Sequence, residues 1–247
     1  MFDLVVGWFS YPVVADVVQA FRDSSFWSGK VIVVILILAS IVAWSVMWSK
    51  YLELRAAQTA SERFLIEFRR RGDPMALFLE NRSFPESPLY HVYVSACHVI
   101  AEQIGAQSSS RWLGPTANPS VRLSTLQVEM LRQVADRTVA DQALKLERRM
   151  GHLMLAVSIS PMLGLLGTVW GVLDAFAAMA HKGAANLAAV APGVSAALLT
   201  TVVGLLVAIP SSIGYNLLAS RIRTLVVQMD NFAQELAAAV QLRFSGE

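Results

Sequence analysis

The sequence predicts an all-α membrane protein with three transmembrane helices, the second and third of which are long and extend into a helical cytoplasmic domain. Hydrophobic residues make up 55% of the 247 residues and charged residues only 15%, whereas about a quarter of the residues in soluble domains are charged. The apolar residues form three runs, each long enough to cross the roughly 30 Å hydrocarbon core of a bilayer as a helix. The sequence shows no strand pattern. The lipid bilayer is therefore the expected environment.

The first transmembrane helix is predicted over residues 30–50. An uncharged run extends from Val31 to Trp48, and amphipathic residues of the type found at headgroup level flank it, including Trp27 before and Tyr51 after the run. Residues 1–29 lack the basic stretch that opens a signal peptide. We therefore expect them to be retained as a periplasmic segment.

The second and third transmembrane helices are predicted over residues 153–180 and 190–218, with a short periplasmic turn at 181–189. Each run has about 28 residues, or about 42 Å as a helix, which exceeds the hydrocarbon core. Both helices must therefore tilt or project beyond the membrane. Pro161 and Pro210 lie inside them, where proline is tolerated and typically kinks the helix.

The distribution of basic residues predicts the orientation. Segment 1–29 carries few of them, whereas segment 51–152 carries many close to both adjoining spans, and Arg221 and Arg223 follow the third span. Basic residues near a span hold their loop in the cytoplasm. We therefore expect a multi-pass protein of the bacterial inner membrane with a periplasmic N-terminus, a cytoplasmic domain and a cytoplasmic C-terminal helix at 219–247.

The cytoplasmic segment 51–152 is predicted to be helical. Residues 51–71 continue the first span as an amphipathic helix. A Gly-Asp-Pro sequence at 72–74 ends this helix and starts another, and a third helix begins at Ser87-Pro88. Residues 106–120 are rich in serine, glycine and proline and are predicted to be a mobile loop. Residues 121–149 contain neither glycine nor proline, so we expect a helix that runs directly into the second span.

Small residues recur at helical spacing along the second and third predicted spans. They form the two stripes Gly164, Thr168, Gly171 and Ala175, with Gly167 alongside, and Gly193, Ala197, Thr201, Gly204 and Ala208. Such stripes allow helix backbones to approach closely in lipid, so one interpretation is helix packing alone. The other is that the hydroxyls of Thr168 and Thr201 bind water or relay protons along a narrow lumen.

Asp174 is the only carboxylate inside a predicted span. A charge in the bilayer is costly, so such residues usually face a bundle interior, a partner or water. The helical spacing places Asp174 beside the small-residue stripe, which favours a functional role. The alternative is that its side chain reaches the outer headgroups, because only six residues separate it from His181.

The sequence has few features of an enzyme, a metalloprotein or a nucleic-acid-binding protein. Cys97 is the only cysteine, which excludes an intrachain disulfide and a multi-cysteine metal cluster. His98 beside it and His91, seven residues before His98, do not complete a metal-ligand set. No nucleophile, phosphate-loop or dinucleotide motif is present, and the net charge of +2 does not indicate nucleic acid. We therefore expect no enzymatic activity, cofactor, metal or nucleic-acid partner.

Two stretches in the spans carry a family resemblance. Residues 164–173 (GLLGTVWGVL) resemble the second span of the TolQ/ExbB/MotA proton-channel family, and residues 191–210 with 215–216 resemble its third. Residues 87–89 (SPL) and 230–232 (DNF) are more similar to the TolQ branch than to the ExbB branch. The resemblance covers almost the whole chain.

The resemblance implies a proton-driven motor. Five copies would form a homopentamer whose second and third spans line a pore. Two TolR-like single-span partners would each bring a membrane aspartate into that pore, and a TolA-like periplasmic partner would transmit the motion to the outer membrane at cell division. Thr168 and Thr201 match the two pore threonines of the family. The alternatives are an ExbB-like subunit that powers TonB-dependent uptake and a passive oligomeric scaffold.

The chain departs from the family pattern at one point. Relatives usually carry glutamate in the third span where this chain has Ala196, and asparagine or histidine where it has Asp174. If Thr168 and Thr201 lie at one level, Asp174 and Ala196 lie near one depth on adjacent helices. The hypothesis is that Asp174 replaces the missing carboxylate. The sequence leaves open whether the ion is a proton or sodium.

Overall fold

The computed structural model describes residues 27–80, 82–110, 124–182 and 187–244. Six helices and no strand lie within these ranges: α1 (Trp27–Arg71), α2 (Ala76–Leu79), α3 (Pro88–Ser110), α4 (Thr125–Glu147), α5 (Met150–Lys182) and α6 (Leu187–Phe244). The predicted all-α class is confirmed.

Three helices are long and apolar enough to cross a membrane, over Gly29–Arg71, Met150–Ala180 and Val190–Phe244. This confirms the predicted all-α membrane protein with three transmembrane helices. The helices α1 and α6 have 45 and 58 residues, or about 67 and 87 Å at 1.5 Å per residue. Only part of each can therefore lie in the hydrocarbon core.

The predicted continuity of the helix over 121–149 with the second span is wrong. Helix α4 ends at Glu147 and α5 begins at Met150. Between them, Arg149 has a φ of 73°, in the left-handed region that residues other than glycine seldom adopt. The break falls at Arg149 itself, which is neither glycine nor proline, although Gly151 follows two residues later.

The predicted loop over 106–120 is partly wrong. Residues 106–110 form the C-terminal end of α3, and residues 111–120 lie outside the described residues. Segment 106–110 (AQSSS) contains no glycine or proline, the residues with the lowest helix propensity, so α3 can continue through it. The next helix begins with a capping box, in which the Ser124 hydroxyl accepts from the N–H of Gln127 and the Gln127 side chain accepts from the N–H of Ser124.

Two other predicted segments fall largely outside the described residues. The turn at 181–189 is shortened by its neighbours, because α5 extends to Lys182 and α6 begins at Leu187, and residues 183–186 are not described. Residues 1–26 of the predicted periplasmic segment also lie outside the described ranges.

The described residues divide into two compact units. The apolar unit comprises 27–49, 149–182 and 187–217, and the helical domain comprises 50–80, 82–110, 124–148 and 218–244. The boundaries fall inside α1 and α6, and at the break between α4 and α5.

An aromatic cluster forms the core of the helical domain. The ring of Phe64 on α1 lies within 6.0 Å, centroid to centroid, of five other rings, those of Phe68, Phe84, Tyr90, Tyr93 and Phe232. Tilted and edge-to-face arrangements of this kind add to the stabilisation from burial. The cluster therefore joins α1, α3 and α6 of this domain.

Polar contacts supplement the aromatic core. The Ser61 hydroxyl donates to the carbonyl of Ala57 at 2.7 Å and lies 3.1 Å from the Ser87 hydroxyl. Because the Ser61 proton is used, Ser87 is the donor between the two hydroxyls. On the surface, the Arg69 guanidinium binds both carboxylate oxygens of Glu235, and this hydrogen bonding raises the pKa of Arg69.

The thiol of Cys97 is expected to resist alkylation in the folded chain. It is fully buried, and burial raises its pKa to about 12, although a hydrogen bond with Tyr93 acts in the opposite direction. The thiolate is the reactive form, so we expect reaction with iodoacetamide at pH 8 to be at least about a hundredfold slower than in the denatured chain, whose thiol pKa is about 8.5. Mass spectrometry of the single cysteine measures both rates, and equal rates would contradict the buried placement.

The same shift predicts a pH dependence of stability. A thiol that holds its proton more tightly in the folded chain stabilises the fold fully below pH 8. This contribution is lost progressively as the pH rises from the ordinary thiol pKa of about 8.5 toward about 12.

Candidate functional site

Helices α5 and α6 approach closely in the apolar unit where both carry glycine. A Cβ atom added to Gly204 would lie 2.6 Å from the carbonyl oxygen of Ser160, and one added to Gly164 would lie 3.0 Å from the Cα atom of Thr201. Contacts with backbone atoms at these distances are possible only because the side chains are absent.

Two further contacts extend this interface. A Cβ atom on Gly193 would lie 3.0 Å from the Cβ atom of Ala175, and one on Gly167 would overlap the side chain of Thr200. Along the whole interface, residue numbers rise on one helix as they fall on the other. The two helices are therefore antiparallel neighbours, in contact over about 15 residues of α5.

The carbonyl oxygen of Gly164 is the centre of a small hydrogen-bond network. The hydroxyls of Thr200 and Thr201 both donate to it at 3.0 Å. In an α-helix the same oxygen is the partner of the N–H four residues on, which belongs to Thr168. A carbonyl oxygen has two lone pairs, so these donors compete. The Thr200 hydroxyl has a single proton, which it shares between the Gly164 carbonyl and a closer acceptor, the carbonyl of Ala197 at 2.7 Å.

The three hydroxyls differ in exposure. Thr200 is 2% exposed, whereas Thr168 and Thr201 are half-buried. The Thr168 hydroxyl donates to the carbonyl of Leu165 at 2.7 Å. Each predicted pore hydroxyl is thus held by a backbone carbonyl and is still partly open, whereas Thr200 is enclosed between α5 and α6.

Thr200 was missed by the sequence reasoning, which singled out only its neighbour. The buried positions Ala196, Thr200, Val203 and Val207 on α6 recur at steps of four, three and four, which is the spacing of one helix face. That spacing is the signal that could have identified Thr200.

The other predicted packing residues lie in the same two helices. Three of them are buried: Gly171, Ala197 and Ala208. Pro161 lies inside α5, and Pro210 and Pro192 lie inside α6. The kinks at Pro161 and Pro210 remain predictions.

Helix α1 packs alongside α6 within the apolar unit. One apolar cluster contains Ile32, Val33 and Leu36 of α1, Val203 and Val207 of α6, and Leu163 of α5 at its edge. Farther along, the Met47 side chain occupies the space beside Gly214, where a Cβ atom would overlap its sulfur. Residue numbers rise together along these contacts, so α1 and α6 run parallel.

The contacts bear on the levels of Thr168 and Thr201. Gly164 lies against Thr201, and Gly167, the residue before Thr168, lies against Thr200. The two predicted pore threonines therefore lie within about one helical turn of each other along the axes.

The register also places Asp174 relative to Ala196. Because Ala175 lies opposite Gly193, Asp174 is level with residues 193–194. Ala196 lies two to three residues farther along α6, so Asp174 and Ala196 lie within one helical turn, or about 4 Å, of each other along the axis. Asp174 is exposed, and Ala196 is 8% exposed.

The arrangement can hold water or pass a proton between hydroxyls, but among the described residues of α5 and α6 no titratable side chain lies at the depth of the threonines. A threonine hydroxyl both donates and accepts, and it does not change charge near neutral pH. Within the described residues, no cluster of three or more His, Cys, Asp or Glu side chains could hold a metal ion.

Comparison with known proteins identifies the family. Residues 115–231 match the MotA/TolQ/ExbB proton channel family. The chain is 30% identical over 224 residues to the Tol-Pal system protein TolQ of Haemophilus influenzae, covering 88% of this chain and 91% of that protein. It is also 30% identical over 209 residues to the biopolymer transport protein ExbB of Salmonella typhimurium, covering 84% of this chain and 79% of that protein.

A second TolQ protein, from Pseudomonas aeruginosa, is 29% identical over 209 residues, covering 85% of this chain and 86% of that protein. These relatives each match more than four fifths of this chain. Together with the three apolar helices and the small-residue contacts between α5 and α6, they establish that the chain belongs to the MotA/TolQ/ExbB proton channel family.

Proposed function

We propose that this chain is the TolQ-like subunit of an inner-membrane proton-driven motor. With a TolR-like partner it forms a proton channel that energises the Tol-Pal system for outer-membrane integrity and constriction at cell division. The convergence of two threonine hydroxyls on the Gly164 carbonyl is the observation that carries the proposal. Thr200 is enclosed at this contact, whereas Thr201 is only half-buried, so the Thr201 hydroxyl stays open to water or to a partner, which packing alone does not require.

The absence of a titratable group at that depth among the described residues supports a requirement for a partner. A single-span partner with a membrane aspartate supplies the missing acid, and the hydroxyls of Thr168 and Thr201 then assist its protonation and deprotonation. The assembly is a homopentamer around two such partners, with the N-terminus in the periplasm and the C-terminus in the cytoplasm. A TolA-like periplasmic partner receives the motion.

Two observations favour the TolQ-like role over the ExbB-like role. At equal identity, the match covers 91% of the Haemophilus TolQ protein and 79% of the Salmonella ExbB protein. The two segments that are more similar to the TolQ branch, 87–89 and 230–232, also contribute to the packing of the helical domain. Ser87 is buried and its hydroxyl accepts from the N–H of Tyr90 at the start of α3, and Phe232 lies in the aromatic cluster.

The proposal is tested by purifying the chain from its native membrane in mild detergent and recording its native mass. We expect five copies that hold two copies of a single-span protein with one membrane aspartate. A TolR-like partner supports the Tol-Pal role, and an ExbD-like partner would move the chain to the ExbB-like role. A bare oligomer would contradict the motor and favour a passive scaffold.

Replacing Asp174 by asparagine is expected to abolish motor function if this residue has replaced the family carboxylate. Adding Ala196→Glu should restore part of it, because the charge returns about 4 Å away along the axis. The measurement is the resistance of cells to detergent when the variant is the only copy. Asp230→Asn, at an exposed carboxylate of the helical domain, is the matched control. Normal resistance with Asp174→Asn alone would refute the replacement hypothesis.

A further inference from the structure

The helical domain contains a polar cavity between α1 and α6. Its volume is about 560 Å³, and it is lined by Tyr51, Arg55, Gln58, Arg221, Thr224, Leu225 and Gln228. This volume lies within the range of small-molecule sites. Two arginines, two amides, a hydroxyl and a phenol line it, and none of the described residues that line it is a carboxylate. The cavity is therefore suited to an anion with additional hydrogen-bonding groups.

Neither arginine is neutralised by a direct ion pair among the residues that the structure describes. The Arg221 guanidinium carbon lies 4.9 Å from the centroid of the Tyr51 ring, a cation–π contact that orients the guanidinium and leaves its N–H groups available. The carboxylate of Glu62 accepts a hydrogen bond from the side-chain amide of Gln58, with a long Nε2–Oε1 distance of 3.4 Å. Positive charge therefore dominates the cavity.

The position of these residues along their helices indicates the source of the anion. The uncharged run of α1 ends at Trp48, and the apolar run of α6 ends at Leu218. Tyr51 and Arg221 each follow three residues later in a continuous helix, about 4.5 Å along the axis. Aromatic and basic residues immediately outside an apolar run lie at the level of the lipid headgroups.

We propose that this cavity binds the headgroup of an anionic phospholipid such as phosphatidylglycerol. Arg55 and Arg221 bind the phosphate, since guanidinium matches phosphate oxygens with paired N–H donors. The amides of Gln58 and Gln228 and the hydroxyl of Thr224 bind the glycerol hydroxyls. Basic cavities at the ends of membrane helices are suited to anionic headgroups. The site does not depend on proton transport, so it stands apart from the proposed function.

The test compares three additives on the purified full chain in mild detergent by its apparent melting temperature. Phosphatidylglycerol should raise the temperature at lower concentration than phosphatidylcholine, and inorganic phosphate should have no comparable effect. Arg55→Gln with Arg221→Gln should weaken the apparent affinity for phosphatidylglycerol at least about tenfold, the scale of one lost charge-assisted hydrogen bond. Tyr51→Leu should weaken it less, because it frees Arg221 without removing the charge.

The matched control is Arg63→Gln with Arg223→Gln. Both residues are exposed on the same two helices, neither lines the cavity, and the change in net charge is identical. The control should bind phosphatidylglycerol as the unmodified chain does. Equal weakening by both double variants would overturn the site in favour of general electrostatic attraction. An equal response to inorganic phosphate would overturn the lipid assignment.

Discussion

Replacing Thr201 by valine is expected to abolish proton-driven activity while the oligomer and its partner stay assembled. Valine has nearly the shape of threonine but neither donates nor accepts, so the hydrogen bond to the Gly164 carbonyl is lost along with any relay through that hydroxyl. Hydrogen bonds between membrane helices contribute only about 0.6 kcal/mol on average, so folding should be affected little. Positioned proton-transfer groups contribute about a hundredfold or more to rates, so activity should fall on that scale, and likewise for Thr168→Val.

Thr200→Val is the matched control for this prediction. It removes a hydroxyl that donates to the same Gly164 carbonyl from the neighbouring residue of the same helix. The Thr200 position is enclosed, however, with only 2% of the residue exposed. The variant should therefore retain most of the activity. Proton uptake by the reconstituted complex measures the effect, with native mass confirming assembly, and Thr201→Ser should recover part of the activity. Equal losses in Thr200→Val and Thr201→Val would show that helix packing, rather than an open hydroxyl, is what matters.

Replacing Gly204 by alanine is expected to destabilise the apolar unit by about 1–3 kcal/mol, the usual cost of overpacking. The new methyl group would lie 2.6 Å from the Ser160 carbonyl oxygen and 3.2 Å from the Cα atom of Gly164. Both are backbone atoms, so a change of rotamer cannot relieve the overlap and α5 must move away from α6. The midpoint of unfolding in a denaturing detergent measures the loss. Gly164→Ala should have a smaller effect, because its closest contacts would be at 3.0 Å.

Gly151→Ala is the control for the glycine series. Gly151 also lies in α5, but a Cβ atom there would have nothing within 4 Å. Alanine favours the helix over glycine by up to about 1 kcal/mol, so this variant should be neutral or slightly more stable. If Gly204→Ala unfolds at the same midpoint as Gly151→Ala, the close contact of α5 with α6 is not as the structure places it.

These two series separate a motor from a scaffold. A passive scaffold would lose function in Gly204→Ala and tolerate valine at Thr168 and Thr201. A proton-driven motor would lose function in both series, but it would lose stability only in the glycine series.

Local chemistry was sufficient to predict the helical spans and several of their ends. Three long apolar runs predict three membrane helices without reference to their packing, because the bilayer sets the required length. Gly72 follows the last residue of α1 with a φ of 68°, a conformation that glycine adopts at little cost. Pro88 begins α3 at a position where proline loses no hydrogen bond.

The sequence by itself determined the number of apolar helices, their small-residue stripes and the family resemblance, all of which depend on residue type and spacing along one helix. Only the tertiary structure decided the break at Arg149, the role of Thr200 beside Gly164, and the pairing of Arg55 with Arg221 in one cavity. Periodicity shows which face of a helix is small or polar, but it does not set the register of one helix against another. That register depends on the packing of many side chains at once, and it determines which hydroxyls and charges come within bonding distance.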